Sequence, residues 1–209
     1  KKNRLMSKSF NLNLDKEIGL NENSIKANIV KYIKLTDSEW DIFFSLLDNK
    51  TYNKGEFVLK PGEVCNFHGF ILSGFLRTYF LDKKEHEINL VFHTEDWWFA
   101  DIASFVSEAP SKLNIVAMED TVVFIISREN LEILFEKIPK FERFFRILNQ
   151  RTFAALMGRY IDEIATPAKD RYFKFIEMRP TILNSVSLQH IASFLGITKE
   201  YLSKIRSDK

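Results

Sequence analysis

Apolar and polar positions divide the chain into three regimes. From Asn28 to Leu47 the spacing is helical, and Thr36-Asp37-Ser38-Glu39 has the form of a helix start, with Trp40, Phe43, Phe44 and Leu47 behind it. Asn49 to Gly55 breaks this pattern, and the first 24 residues are polar and weakly patterned, which predicts an extension or irregular segment. Between Glu56 and Ser127 short apolar runs alternate with turn residues. Phe57–Leu59 ends at Pro61-Gly62, Phe67–Leu72 at Ser73-Gly74, Phe75–Leu81 at Asp82, and Ile88–His93 at Thr94. Asn114–Met118 and Val122–Ile126 complete the series, with a short helix expected over Ala100–Ser107. Several short strands at this spacing predict a β-sandwich or barrel.

Helical spacing returns at Arg128–Phe135 and over a long stretch from Pro139 to Ala165. There Phe141, Phe145, Leu148, Thr152, Ala155 and Arg159 step by four and three, a heptad-like seam. A single helix packed on its own barrel gives the same pattern. Thr166-Pro167 interrupts, a new helix is expected over Ala168–Met178, and Pro180 follows it.

The segment Ser187 to Arg206, SLQHIASFLGITKEYLSKIR, carries the most information. Counted from Leu188, the apolar or small residues Ile191, Ala192, Leu195, Ile197, Leu202 and Ile205 have the spacing of two helices crossing at a turn. Gly196 falls where positive φ is needed, and Ser187 and Thr198 are placed to cap the two helices. The outward face of the second helix would carry Lys199, Glu200, Tyr201, Ser203, Lys204 and Arg206, with Ser187, Gln189 and Thr198 at the helix starts. Such a helix suits the major groove of double-stranded DNA. A helical hairpin with a solvated charged face is the plainer alternative.

Charge supports the first reading modestly. The 209 residues carry a net +2, but residues 1–34 hold +5, residues 35–165 hold −7 and residues 166–209 hold +4. A basic C-terminal end on an acidic body hints at an anionic partner. The single Cys65 excludes an internal disulfide framework and a multi-cysteine metal site, and points to a structural thiol in a reducing cytoplasm. No stretch has the length of an uncharged membrane span, and the start lacks the apolar core of a secretory signal. Twenty residues are Phe, so a large core is available and an open polar pocket is disfavoured.

Taken together, a barrel, a long helix and the two-helix motif resemble the Crp/Fnr family of bacterial transcription regulators over residues 36–206. The markers are Pro61-Gly62-Glu63, Phe70-Ile71-Leu72-Ser73-Gly74 and IASFLGITKEYLSKIR. The resemblance implies an α+β protein. Residues 1–35 would be an N-terminal extension and 36–138 a cyclic-nucleotide-binding-type double-stranded β-helix, or jelly-roll. Residues 139–165 would be a dimerisation helix, and 166–209 a mainly helical helix-turn-helix domain. It further implies a cytoplasmic homodimer on a pseudo-palindromic site, with RNA polymerase as a candidate partner. Many relatives continue into a β wing, so the sequence ending at Lys209 predicts weaker DNA binding than the family's.

The family's phosphate-binding cassette aligns with Phe99, Ala100, Asp101, Ser111 and Lys112. Ala100 stands where the family has Gly, Asp101 where it has Glu, and Ser111 where it has the Arg that pairs with the cyclic phosphate. Lys112 is a point charge that does not restore the bidentate fork. The expectation is no cofactor, and no cyclic AMP bound in the family manner. Two rival readings remain: a protein-interaction module on the same barrel, and a metal-dependent cupin-like enzyme using His68, His86 and His93. The histidine spacing does not fit the latter, and no metal is expected.

Overall fold

The computed structural model describes residues 22–180 and 182–207. Helix α1 runs through residues 22–29 and α2 through Asp37–Ser45. The strands are β1 (Asp48–Tyr52), β2 (Phe57–Leu59), β3 (Phe67–Ser73), β4 (Leu76–Leu81), β5 (Glu87–His93), β6 (Trp98–Phe99), β7 (Asn114–Ala117) and β8 (Thr121–Ser127). Helix α3 (Ile102–Ser107) sits between β6 and β7. The remaining helices are α4 (Arg128–Lys137), α5 (Lys140–Ala165), α6 (Ala168–Met178), α7 (Ile182–Ser185), α8 (Leu188–Phe194) and α9 (Lys199–Ser207). The strands form two four-stranded antiparallel sheets, ordered β1-β8-β3-β6 and β2-β7-β4-β5. The chain is α+β, a jelly-roll followed by a helical C-terminal region.

Three apolar layers follow from strand alternation. On β3 and β8, Ile71, Val123 and Ile125 point between the sheets and join Leu59, Leu76, Phe99 and Ile115 in the barrel interior. Their neighbours Phe70, Leu72, Phe124 and Ile126 point outward and are covered by α1, α2, α4 and the start of α5. The opposite sheet presents Phe75 and Phe92 outward, and these are covered by α6, α8 and α9. Every residue of β3 is therefore buried or half-buried, because both faces of its sheet are covered.

Two local readings change. Thr36 and Glu39 form a capping box that starts α2, so the helical pattern read from Asn28 to Leu47 is two helices with a break at residues 30–36. Ile25, Ile29 and Ile33 are 0, 0 and 6% exposed and share a core with Phe43 and Phe141. The irregular start expected over residues 1–24 lies outside the described residues as far as residue 21. Residues 48–52 are not a simple break but β1, an edge strand paired with β8, with four of its five residues exposed and Tyr52 half-buried against the barrel core.

The barrel interior is filled from within. A Cβ on Gly69 would lie 2.2 Å from Phe99 Cζ, so the Phe99 ring occupies the space a side chain on β3 would need. His93, also buried, meets Thr78 Oγ1 at 2.9 Å through Nε2. Burial holds His93 at a pKa of about 3 and His68 at about 4, with Arg179 and Arg128 respectively pushing in the same direction. Both values lie below the free 6.5, so the fold keeps its full stability above pH 6.5 and loses it as pH falls below that value. Each histidine is expected to cost up to about 2 kcal/mol between pH 6.5 and pH 5. Urea unfolding at pH 7.5 and pH 5 checks this, and equal midpoints contradict it.

Candidate nucleic-acid interface

The two-helix unit forms as its sequence dictates. Ser187 Oγ accepts the His190 N–H at 3.3 Å and caps α8. Gly196 has φ +67°, which turns the chain, and the Ile197 N–H then donates to the Ala192 carbonyl at 3.0 Å. Thr198 Oγ1 accepts the Tyr201 N–H at 3.2 Å at the start of α9. Ile191, Ala192, Leu195, Leu202 and Ile205 are at most 7% exposed and pack on Tyr172 and Phe175 of α6. Ala192 is small where α8 and α9 meet.

The opposite face is open. Lys199, Glu200, Tyr201, Ser203, Lys204 and Arg206 are all exposed, as are Thr198 and, at the start of α8, Ser187 and Gln189. Every residue assigned to the DNA-binding face thus lies at the surface of this unit. Lys199, Lys204 and Arg206 outnumber Glu200 on α9, and among the described residues none of these cations forms an ion pair.

Sequence reasoning missed how this unit is seated on the barrel. Arg77 of β4, only 6% exposed, places Nη1 2.5 Å from Glu87 Oε2, 3.0 Å from Asn89 Oδ1 and 3.0 Å from His190 Nδ1. Ser193 Oγ accepts the Asn89 N–H at 3.0 Å and donates to the Glu87 carbonyl at 2.7 Å. Phe194 packs against Phe92 and Phe175, at 5.2 and 5.0 Å between ring centroids. Arg159 of α5 stacks on Phe194 at 4.0 Å and donates to the carbonyls of Phe194 and Leu90. Burial and then the Arg77 charge lower the His190 pKa, against an opposing effect of Glu87, so the neutral ring accepts from Arg77. A buried cation inside the apolar run Phe75–Leu81 was the available signal.

On α5, Phe141 and Phe145 are 0 and 4% exposed and Leu148 packs on the same core, so these seam candidates are taken up by their own chain. Thr152 and Ala155 are exposed. The apolar stripe that stands free is Phe153, Leu156, Met157, Tyr160, Ile161 and Ile164, between 42 and 70% exposed. Its spacing of three and one is again heptad-like. This exposed stripe lies one position along the helix from the expected seam, because the first turns of α5 bury their apolar face inside the chain.

The cassette residues come together, but they satisfy one another. Asp101 caps α3 by accepting the Ser104 N–H at 3.2 Å, and its other oxygen accepts from Ser111 Oγ at 2.7 Å. Both residues are buried, Phe99 lies in the barrel core, Ala100 is half-buried and Lys112 points to solvent. Among the described residues no Lys or Arg side chain hydrogen-bonds to Asp101 or Ser111. The Cys65 thiol is fully buried, and burial raises its pKa. His68, His86 and His93 lie apart. His68 is on the helix-covered face, His86 is exposed beside Asp82, and His93 is in the barrel. Among the described residues no group of three His, Cys, Asp or Glu side chains is placed to hold a metal.

Residues 49–137 match the family model of the cyclic nucleotide-binding domain. Among curated proteins none matches this sequence. The fold is shared with several solved regulators. The c-di-GMP responsive global regulator CLP of Xanthomonas campestris is 14% identical with a TM-score of 0.66, over 83% of this chain and 91% of that one. FixK2 of Bradyrhizobium japonicum is 20% identical with a TM-score of 0.67, over 78% and 83%. A protein from Eubacterium rectale, described as a transcriptional regulator of the crp/fnr family, is 20% identical with a TM-score of 0.65, over 82% of each chain. The chain therefore shares the fold of these solved proteins, and residues 49–137 are similar to cyclic nucleotide-binding domains. No described helix is long and apolar enough to cross a membrane.

Proposed function

We propose that this chain is a transcription regulator that binds a pseudo-palindromic DNA site as a homodimer. The observation that carries this reading is α9, a helix with Leu202 and Ile205 buried beneath it and an unpaired basic face above. Side chains near its start would reach base edges in the major groove, and those farther along would meet phosphates. The free stripe on the second half of α5 supplies the self-complementary surface that a two-fold dimer needs. Replacing Lys199 or Lys204 by Ala is expected to weaken specific binding by about 1–3 kcal/mol where the lysine reads a base. Electrophoretic mobility at fixed salt reads this, and unchanged affinity in both variants removes the assignment of α9.

The barrel does not use cyclic AMP in the usual way on this account. Without a guanidinium, a buried phosphate would lack its paired charge, which costs several kcal/mol. Asp101 and Ser111 are already hydrogen-bonded to each other and to the backbone of Ser104 and Leu113. Calorimetric titration is expected to find no micromolar cyclic AMP site, and a micromolar site contradicts the reading. RNA polymerase and a cytoplasmic location follow from the same proposal.

A further inference from the structure

A cleft of about 270 Å³ opens where α3, α4 and the start of α5 meet over the outer face of β3. Ile102, Phe105 and Val106 of α3, Phe135 of α4 and Phe145 of α5 form its apolar walls. Val106 is 74% exposed and lies at the mouth, whereas His68 is 5% exposed and lines the inner end. The imidazole packs edge-on against Phe105 and Phe145, at 4.6 and 5.3 Å between ring centroids. Among the described residues its nitrogens have no hydrogen-bond partner. These nitrogens are not among the fully buried unpaired atoms, so the imidazole, although packed on both sides, keeps its polar atoms open to the cleft.

The chemistry of the cleft defines what would complete it. Burial keeps His68 neutral at neutral pH, so it offers one N–H donor and one bare nitrogen acceptor. At the rim Glu142 and Arg146 lie one helical turn apart with opposite charges, so the rim favours neither anion nor cation. Arg128 stacks on Phe105 at 4.1 Å and donates to its carbonyl, which fixes that wall in place. An apolar cavity of roughly 150 Å³ holds benzene, and drug-sized sites begin near about 300 Å³. We propose that this cleft binds a neutral aromatic molecule of one or two rings carrying a single N–H or O–H group, hydrogen-bonded to His68. The site is separate from the barrel interior and from α9, so it stands whether or not the chain binds DNA. Its occupant would touch α3, whose first turn is capped by Asp101 of the cassette.

Calorimetric titration of the whole chain with indole and with benzofuran, which has nearly the same shape but no N–H, tests this. Indole is expected to bind about tenfold more tightly, the effect of one hydrogen bond in a desolvated site. His68→Leu should bring indole down to the benzofuran level. Val106→Trp, at an exposed position that leaves the fold intact, should block both ligands at the mouth. The proposal is overturned if indole does not bind, if the two ligands bind equally to the unaltered chain, or if Val106→Trp leaves indole binding unchanged.

Discussion

Replacing Ile161 and Ile164 together by Glu is expected to leave the chain folded, to separate it into monomers, and to weaken binding to a two-half-site duplex by about 10²–10⁴-fold. Ile161 and Ile164 are 57 and 70% exposed, so neither contributes to the chain's own core. From Asn149 to Ala165 only Arg159 and Asp162 are not exposed, so this half of α5 meets the barrel through Arg159, which donates to the Leu90 carbonyl, and leaves its apolar stripe open. A helix with an apolar stripe in that position needs something to cover it, and an identical helix meets the requirement by symmetry. Charged residues at the centre of such a seam would be buried without partners. Each recognition helix would then bind its half-site alone and lose the gain from linking the two. Sedimentation equilibrium and mobility shift on the same preparation read both consequences. A variant that remains dimeric with unchanged DNA affinity removes the stripe from the account.

Phe144→Ala is expected to lower stability by about 3–5 kcal/mol, the cost of a large cavity in a packed aromatic core. Phe144 is fully buried and meets Tyr32, Trp98, Phe141 and Phe145 at ring-centroid distances of 5.3 to 6.1 Å. These partners come from three places in the chain, so the ring ties the segment after α1, the end of sheet β1-β8-β3-β6 and α5 together. Phe153, nine positions later on the same helix, is 66% exposed. Its replacement by Ala should change the stability of the monomer by no more than about 0.5 kcal/mol. Urea unfolding of the two variants at low protein concentration gives the comparison. Equal losses would mean that α5 is not divided into a core half and a free half.

Much of this was legible because local chemistry and tertiary structure agree. The turn residues after each apolar run mark the ends of β3, β4 and β5, and Gly196, Ser187 and Thr198 take the turn and capping roles their types suggest. What escaped notice had no periodic signature. Strand β1 reads as a polar break because it contributes backbone pairing at a sheet edge and buries almost nothing. The choice between two apolar stripes on α5 depends on which face the barrel takes first, and spacing alone does not say. Arg77 and His190 are 113 residues apart, so the polar clamp they share becomes visible only when β4 and α8 are placed together. The abundance of Phe also shifts in meaning. The barrel interior is mostly aliphatic around Phe99, whereas Phe43, Phe70, Phe124, Phe141, Phe144 and Phe145 lie outside it, under the helices. The cassette is closed by Asp101 and Ser111 and the interior is filled by Phe99 over Gly69, rather than by an excess of Phe.

Selection of duplexes from a random DNA library by the purified chain tests the central claim most directly. The account predicts enrichment of an inverted repeat whose half-site centres lie about one helical turn, or 10–10.5 base pairs, apart. Recovery of no sequence above background, or of a motif without two-fold symmetry, would contradict it.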